Sequence, residues 1–364
     1  MRIIHCADLH LDSKMTANLS KDQARERKGE ILRTFNKMVE YAKKNNVAAI
    51  LIAGDLFDTR NISVNVRNAV RDIIWKNPDI DFLYLRGNHD TDNFLSKLEE
   101  IPDNLCLFTN KWVTYSYDKI TVTGIELDDE NALTAYNSLV LDHEKFNIVT
   151  MHGQLAGYKS KDNAEIISLD DLKNKNIDYL ALGHIHTFQM EQLDNRGVYC
   201  YSGCLEGRGF DECGPKGFVV LDIDPRTRTA TTEFVSVAAR TLYTIPVNVT
   251  GIYTTQEAAE RMEAVIAQAG VSSNSLVKFL LQGEVDVECD LNTEFLEEQF
   301  AEYFYFSRVY DETKLMVNYE DYANDISLKG EFIRMVYASD LSEEEKSLVI
   351  RTGIQALQGE EISL

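Results

Sequence analysis

The sequence predicts an α/β fold of buried strands covered by helices, followed by a smaller α+β region and C-terminal helices. Three observations predict it. Apolar runs rich in Val, Ile and Leu alternate with helical stretches from the N-terminus to about residue 235. Runs such as AAILIA at 48–53 show no polar alternation, which marks strands buried on both faces. Beyond Ser236 the pattern changes to alternating strands and separate amphipathic helices.

The elements follow in order. A strand over 2–7 leads into a helix over 21–45, which carries eight Lys/Arg against four Asp/Glu and reads as a solvated helix face. A strand over 48–53, a helix over 64–76 and a strand over 81–86 complete the first alternation. Further strands are expected over 119–125, 146–151, 179–182, 198–201 and 218–223. The second region opens with a strand over 241–249 and a helix from Thr255, with Met262, Val265, Ile266 and Ala269 on one face and Gly270 as its stop. Val277, Phe279 and Leu281, then Val285 and Val287, alternate as a strand with one buried face does. A helix over 294–304 and a strand over 314–319 end this region. Ser342 and Glu345 form a capping box before Leu348, Val349, Ile354 and Leu357, and Gly359 reads as the stop. The expected boundaries are 1–235, 240–322 and 323–364. The last segment either packs on its own domain or docks a partner.

Composition narrows the function. The chain has 364 residues, 44% hydrophobic, and a net charge of −22. No apolar run reaches the ~20 residues of a membrane span. The N-terminus MRIIHCADLH leaves no room for a cleavable signal. Six cysteines without CxxC pairing point to reduced thiols in a cytoplasm. The spacing of Cys200, Cys204 and Cys213 fits no usual structural zinc site. Residues 1–240 hold 29 Lys/Arg against 36 Asp/Glu, a net of −7, and residues 241–364 hold 8 against 23, a net of −15. Binding to a nucleic-acid backbone is driven by Lys and Arg, so the last third repels DNA unless a partner supplies positive surface.

Five of the seven histidines lie in ADLHLDS (7–13), GNHD (87–90), MHG (151–153) and GHIH (183–186); with GDLFD (54–58) these segments begin where apolar strands end. In α/β folds, ligands bind at the loops leaving the carboxyl ends of strands. Two divalent ions about 3.5–4 Å apart need a bridging carboxylate and mixed oxygen and imidazole ligands. Asp8 and His10, two apart, can turn toward one ion. Asp55 is the natural bridge, with Gly54 allowing close backbone approach. Asn88 offers an amide oxygen to the second ion. His152, His184 and His186 supply imidazoles. A set without thiolates favours manganese, iron or zinc. His89 sits beside a ligand and is free either to donate a proton to a leaving oxygen or to stabilise charge in the transition state. Asp58 or Asp90 can orient a neighbouring imidazole. His5 reads as a strand residue and His143 as a surface one.

In this order, D-x-H, GD-x-x-D, GNHD, H-G and GH-x-H resemble the calcineurin-like metallophosphoesterase superfamily over residues 1 to about 235. ADLHLDS, the segment YSGCLEGRGFDECGPKGFVVLDID at 201–224 and LKGEFIRMV at 328–336 look like its SbcD/YhaO-type DNA repair exonuclease branch. The resemblance implies a four-layer αββα phosphoesterase domain, a smaller α+β capping domain and a C-terminal helical arm that binds an SMC-like, SbcC-type ATPase. It implies a first metal on Asp8, His10, Asp55 and His186, and a second on Asp55, Asn88, His152 and His184, with His89 as the catalytic histidine. It further implies manganese, hydrolysis of DNA by metal-activated water, and dimerisation through the helices over 21–45 and 64–76. Two features depart from the pattern: Cys204 stands where a small hydroxyl residue is usual, and the capping region is strongly acidic. The acidity keeps open a stand-alone phosphodiesterase or phosphatase acting on nucleotides or other small phosphate esters. A non-catalytic scaffold is disfavoured by the complete ligand set with His89.

Overall fold

A computed structural model describes residues 1–15, 19–58, 62–91, 93–132, 134–156 and 166–358. The chain divides into two compact units, Met1–Thr241 and Leu242–Leu364. The first unit opens with β1 (Arg2–Cys6), α1 (Lys21–Lys44), β2 (Val47–Ala53), α2 (Val64–Trp75), β3 (Asp81–Leu85) and β4 (Leu105–Leu107). It continues with β5 (Val113–Tyr117), β6 (Ile120–Gly124), α3 (Ala135–Ser138), β7 (Phe146–His152), β8 (Gln154–Leu155), β9 (Ile166–Ile167), α4 (Leu169–Leu172) and β10 (Tyr179–Gly183). It closes with β11 (Gln189–Gln192), β12 (Val198–Tyr201), β13 (Gly217–Asp224) and β14 (Thr229–Ser236).

These strands form two six-stranded sheets, ordered β14-β13-β1-β2-β3-β4 and β11-β12-β10-β7-β6-β5. In the first, β1 to β4 run parallel, β13 pairs antiparallel with β1, and β14 pairs antiparallel with β13. In the second, β12, β10, β7 and β6 run parallel, and β11 and β5 are antiparallel edges. Successive side chains of a strand face opposite sides, and β1 shows the result. Ile3 joins a core shared by the two sheets, with Ala49, Leu51, Ile148 and Ala181. Ile4 and Cys6 join an outer core under α1 and α2, with Phe35, Met38, Val70 and Ile74. A third core covers the far face of the second sheet, where Val149, Met151, Leu180 and Leu182 meet Tyr136, Leu139 and Leu172. The order helix, sheet, sheet, helix is the αββα layering, with the second helical layer reduced to the short α3 and α4.

Four strands of the two six-stranded sheets escape the sequence pattern: β4, β5, β11 and β14. All but β4 alternate or are polar, and β14 (TATTEFVS) has no buried residue at all. The solvated face expected of 21–45 holds for Lys21, Arg25, Arg33, Lys37, Lys43 and Lys44. Arg27 departs from it. It is 1% exposed, bonded to Glu30, Glu206 and the Gly207 carbonyl.

The second unit contains β15 (Leu242–Asn248), α5 (Thr255–Ala269), β16 (Leu276–Gln282), β17 (Glu284–Asp286), α6 (Thr293–Phe300), β18 (Phe306–Asp311), β19 (Lys314–Met316), α7 (Leu328–Tyr337) and α8 (Glu343–Gln358). Strands β15, β16 and β18 form a parallel sheet, and β17 pairs with β19. Thr254 and Glu257 form a capping box on α5, and Gly270 closes it at φ 60°. Helix α6 ends at Phe300, short of 304, because Phe306 already starts β18. The Ser342–Glu345 capping box is formed. The apolar face of α8 is only partly the expected one: Ile354 is buried as expected, but with Ile350 beside it, against Ile333 and Val336 of α7 and Val287. Leu348, Val349 and Leu357 are exposed. Gly359 lies outside the described residues. No helix among the described residues is long and apolar enough to cross a membrane.

Candidate metal centre

The carboxyl ends of the parallel strands deliver the motif residues. Asp8 and His10 follow β1, Asp55 follows β2, Asn88 follows β3, His152 ends β7, and His184 and His186 follow β10. The loops after β1 and β2 continue the pairing of those strands: Asp8, His10 and Leu11 donate from N to the carbonyls of Gly54, Asp55 and Leu56. This registers the first two carboxylates against each other. Asp8, His10, Asp55 and His184 have φ of 52°, 45°, 51° and 105°. Non-glycine residues there cost about 1–3 kcal/mol each, so the surrounding hydrogen bonds hold them against a backbone preference. Two glycines are required by close approach. A Cβ on Gly87 would lie 2.2 Å from Asp55 Oδ1, and one on Gly54, at φ +97°, would lie 2.0 Å from His152 Nδ1.

Donor atoms converge from both sheets. Asp55 Oδ1 accepts from the His89 amide at 2.9 Å, while Oδ2 lies 3.9 Å from His10 Nε2 and 3.4 Å from His152 Nε2. Asn88 Oδ1 is 2.9 Å from His152 Nε2. His10 Nε2 and His186 Nε2 face each other at 3.2 Å, and His186 Nε2 is 4.0 Å from Asp8 Oδ1. The Asp8 carboxylate also accepts the His184 amide at 2.9 and 3.0 Å. The His184 ring stands edge-on to His152, with centroids 5.6 Å apart. Among the clusters that result are Asp8 with His10 and His186, and Asp8 with Asp55 and His152.

The outer nitrogens explain why the inner ones face inward. His186 Nδ1 bonds Glu212 Oε1 at 2.7 Å, His152 Nδ1 bonds the Ala53 carbonyl at 2.9 Å, and His10 Nδ1 lies 3.2 Å from Asp58 Oδ1. With the proton on each Nδ1, the Nε2 atoms of His10 and His186 present lone pairs to one point. Two lone pairs at that distance repel unless a cation lies between them. Donor set and geometry therefore fit a divalent ion.

The charges agree. Against the effect of burial, His152, His10 and His89 hold Asp55 below the usual carboxylate range. Burial resists, but the Glu212 hydrogen bond and Asp8 raise His186. Burial lowers His10 and His184. Burial and the neighbouring Asp55 push Asp90 up to about 7.

Of the residues expected to assist, Asp58 adjoins His10, and His89 lies edge-on to His10 with centroids 5.2 Å apart. Asp90 does something else. Its carboxylate accepts the amides of Leu56, Phe57 and Gly87, tying the loops after β2 and β3 together. The Cys204 thiol is buried beside the His186 carbonyl and Glu212. Sequence reading missed Arg208, Glu212 and Lys216. Arg208 donates to Asp58 at 2.6 Å and to Glu212 at 2.8 Å, and Lys216 donates to the His186 carbonyl at 2.7 Å. Their only signal was three charges in a glycine-rich stretch. His143 is exposed and far from these groups, beside Asp142 and Glu144.

A family model described as Calcineurin-like phosphoesterase matches residues 1–188. Among curated relatives, the Uncharacterized metallophosphoesterase YhaO of Bacillus subtilis (strain 168) is 26% identical, covering 61% of this chain and 57% of its own length. A DNA double-strand break repair protein Mre11 from Sulfurisphaera tokodaii is 27% identical, covering 68% and 65%. The SbcD component of the nuclease SbcCD of Staphylococcus saprophyticus is 28% identical, covering 61% and 66%. The chain thus spans less than two thirds of the length of these relatives.

Proposed function

The chain belongs to the calcineurin-like phosphoesterase family, and from that premise we propose that this hydrolase of phosphate esters is a two-metal DNA nuclease of the repair-exonuclease branch. The observation that supports it is the convergence of Asp8, His10, Asp55, His152 and His186 from the carboxyl ends of both sheets, with Asn88 Oδ1 beside His152 Nε2 and the His184 ring edge-on to His152. In this reading Asp8, His10, Asp55 and His186 hold one ion, and Asp55, Asn88, His152 and His184 hold the other. Two divalent ions there supply Lewis acidity toward the phosphoryl group and make a nearby water more acidic. Manganese is the reading the resemblance carries, with iron and zinc compatible with the same donors.

The chain's own residues do the rest. Asp55 is poised to bridge, since the His89 amide ties one oxygen and leaves the other toward His10 and His152. His89, half-buried at the rim, donates a proton to the leaving oxygen. Asp58 and Glu212 orient His10 and His186. Asp90 holds the loops carrying Asp55 and Asn88 in register.

DNA is favoured as substrate by the printed names of two relatives, a DNA double-strand break repair protein and a component of a nuclease. An SMC-like ATPase is the partner that reading carries. Leu328 and Met335 on α7 and Leu348 on α8 are exposed apolar side chains available to such a partner. One observation favours a second reading, hydrolysis of small phosphodiesters: residues 241–364 carry a net charge of −15 from 8 Lys/Arg against 23 Asp/Glu.

Hydrolysis of bis(4-nitrophenyl) phosphate, linear duplex DNA and single-stranded DNA with added manganese, at about 50 and 200 mM salt, separates the two. The nuclease reading expects DNA cleavage that falls steeply with salt while turnover of the small ester changes little. Turnover of the ester with both DNAs intact at either salt would favour the second reading.

A further inference from the structure

The two groups of imidazoles at the centre are held differently. His152 is fixed from behind by a neutral main-chain carbonyl, that of Ala53. His10 and His186 each have a carboxylate behind them, Asp58 and Glu212. Those two carboxylates are joined by one side chain. Arg208 donates from Nη1 to Asp58 Oδ1 at 2.6 Å and from Nη2 and Nε to Glu212 Oε1 at 2.8 and 3.2 Å. Its own amide closes the ring by donating to Glu212 Oε2 at 2.7 Å.

The guanidinium is a rigid planar fork with fixed donor directions. Here the fork sets the separation between two carboxylates whose residues lie far apart in the chain, and each carboxylate sets one imidazole. The loop carrying Arg208 is itself anchored: Arg27 of α1, 1% exposed, donates to the Gly207 carbonyl at 2.7 Å. Glu206, on the other side of Gly207, accepts from Thr34 and from the Ala239 amide. The fork therefore stands on a buried ion network. Nη1, Nη2 and Nε are all directed at carboxylates.

We propose that Arg208 is a positioning residue that cross-braces Asp58 and Glu212, preorganising His10 and His186 as a pair and making the ion they share the more firmly held of the two. The inference rests on the two-metal reading and goes beyond it by assigning an asymmetry. It also explains why Arg208 and Glu212 stand four residues apart: this spacing lets the amide and guanidinium of one reach the same carboxylate of the other.

The test is metal binding to the full chain, stripped with chelator and reloaded with manganese. Bound metal is counted by mass spectrometry, and the two-ion spectrum is followed by electron paramagnetic resonance. Arg208→Gln, Arg208→Lys, Asp58→Asn and Glu212→Gln are compared with the unaltered chain. The expected result is a loss of affinity of about 10–100-fold, the range for outer partners of metal ligands, for one ion only. The spin-coupled spectrum then gives way to that of a single ion. Arg208→Lys behaves as Arg208→Gln, because one ammonium cannot span both carboxylates. Asp58→Asn and Glu212→Gln, which keep the side-chain shapes, weaken the same site and decide the matter where Arg208→Gln folds poorly. Unchanged affinity at both sites, equal weakening of both, or full rescue by Arg208→Lys would overturn the brace. An unaltered chain that never takes up two ions would instead overturn the two-metal reading itself.

Discussion

Three of the motif histidines are defined by what stands behind them as much as by what stands in front. Glu212, Asp58 and the Ala53 carbonyl turn three imidazoles so that Nε2 faces the interior of the site. His5 shows the opposite case. It is fully buried in β1, bonded to Tyr179 Oη at 3.0 Å, and burial pushes its imidazole down to about 3. In the folded protein it stays neutral down to about pH 3, whereas in the unfolded chain it takes a proton near 6.5. The unfolded state therefore binds more protons between those values. The stabilisation from a neutral His5 is complete above about pH 6.5 and is lost as pH falls, by about 1.4 kcal/mol per unit. Urea unfolding of the chelated protein from pH 7.5 to 5 should show this slope, and His5→Phe should flatten it by that amount. Parallel curves for the two proteins would contradict it. The seven residues of the proposed ligand set stand out in the sequence because they cluster in short motifs beside recognisable strands. Arg208 and Glu212 were not, since their partners Asp58 and His186 lie 150 and 26 residues away and no periodicity links them. Asp90 was visible, but only the folded loops show that its partners include the amides of Leu56, Phe57 and Gly87.

At the scale of elements, strands buried on both faces announce themselves as unbroken apolar runs, and β1, β2, β3, β7 and β10 follow the expected spans closely. Strands β5, β11 and β14 have solvated faces or lie at sheet edges, so pairing rather than composition makes them strands. The shift of the α8 face has the same root. The periodicity admitted several stripes, and the contact with α7 selected Ile350 and Ile354. Ile350 is 0% exposed among Ile333, Val336 and Val287. Ile350→Ala should destabilise the second unit by about 2–5 kcal/mol, read as an earlier thermal transition. Manganese binding should be unchanged, because every donor lies in Met1–Thr241. An unshifted transition would mean that α8 contributes no core.

At the scale of the molecule, the first unit is two six-stranded sheets, each built on four parallel strands, extended by β13 and β14 on one side of the first and by β11 and β5 on both sides of the second. The first sheet gives Asp8, His10, Asp55 and Asn88, and the second gives His152, His184 and His186. Neither sheet holds a complete centre, so the site exists only when both are folded and stacked on the core of Ile3, Leu51, Ile148 and Ala181. This explains why donors spread over residues 8 to 186 act as one group. The proposed function divides labour within that group, giving Asp55 the metal and His89 an action on substrate without holding metal. The most direct test pairs metal content with turnover of a small activated phosphodiester in Asp55→Ala and His89→Ala. Asp55→Ala should empty or scramble both metal sites. His89→Ala should keep its metal and lose turnover by at least the roughly 100-fold that a general acid contributes. A His89→Ala protein that loses metal as badly as Asp55→Ala, or that keeps full turnover, would contradict this division.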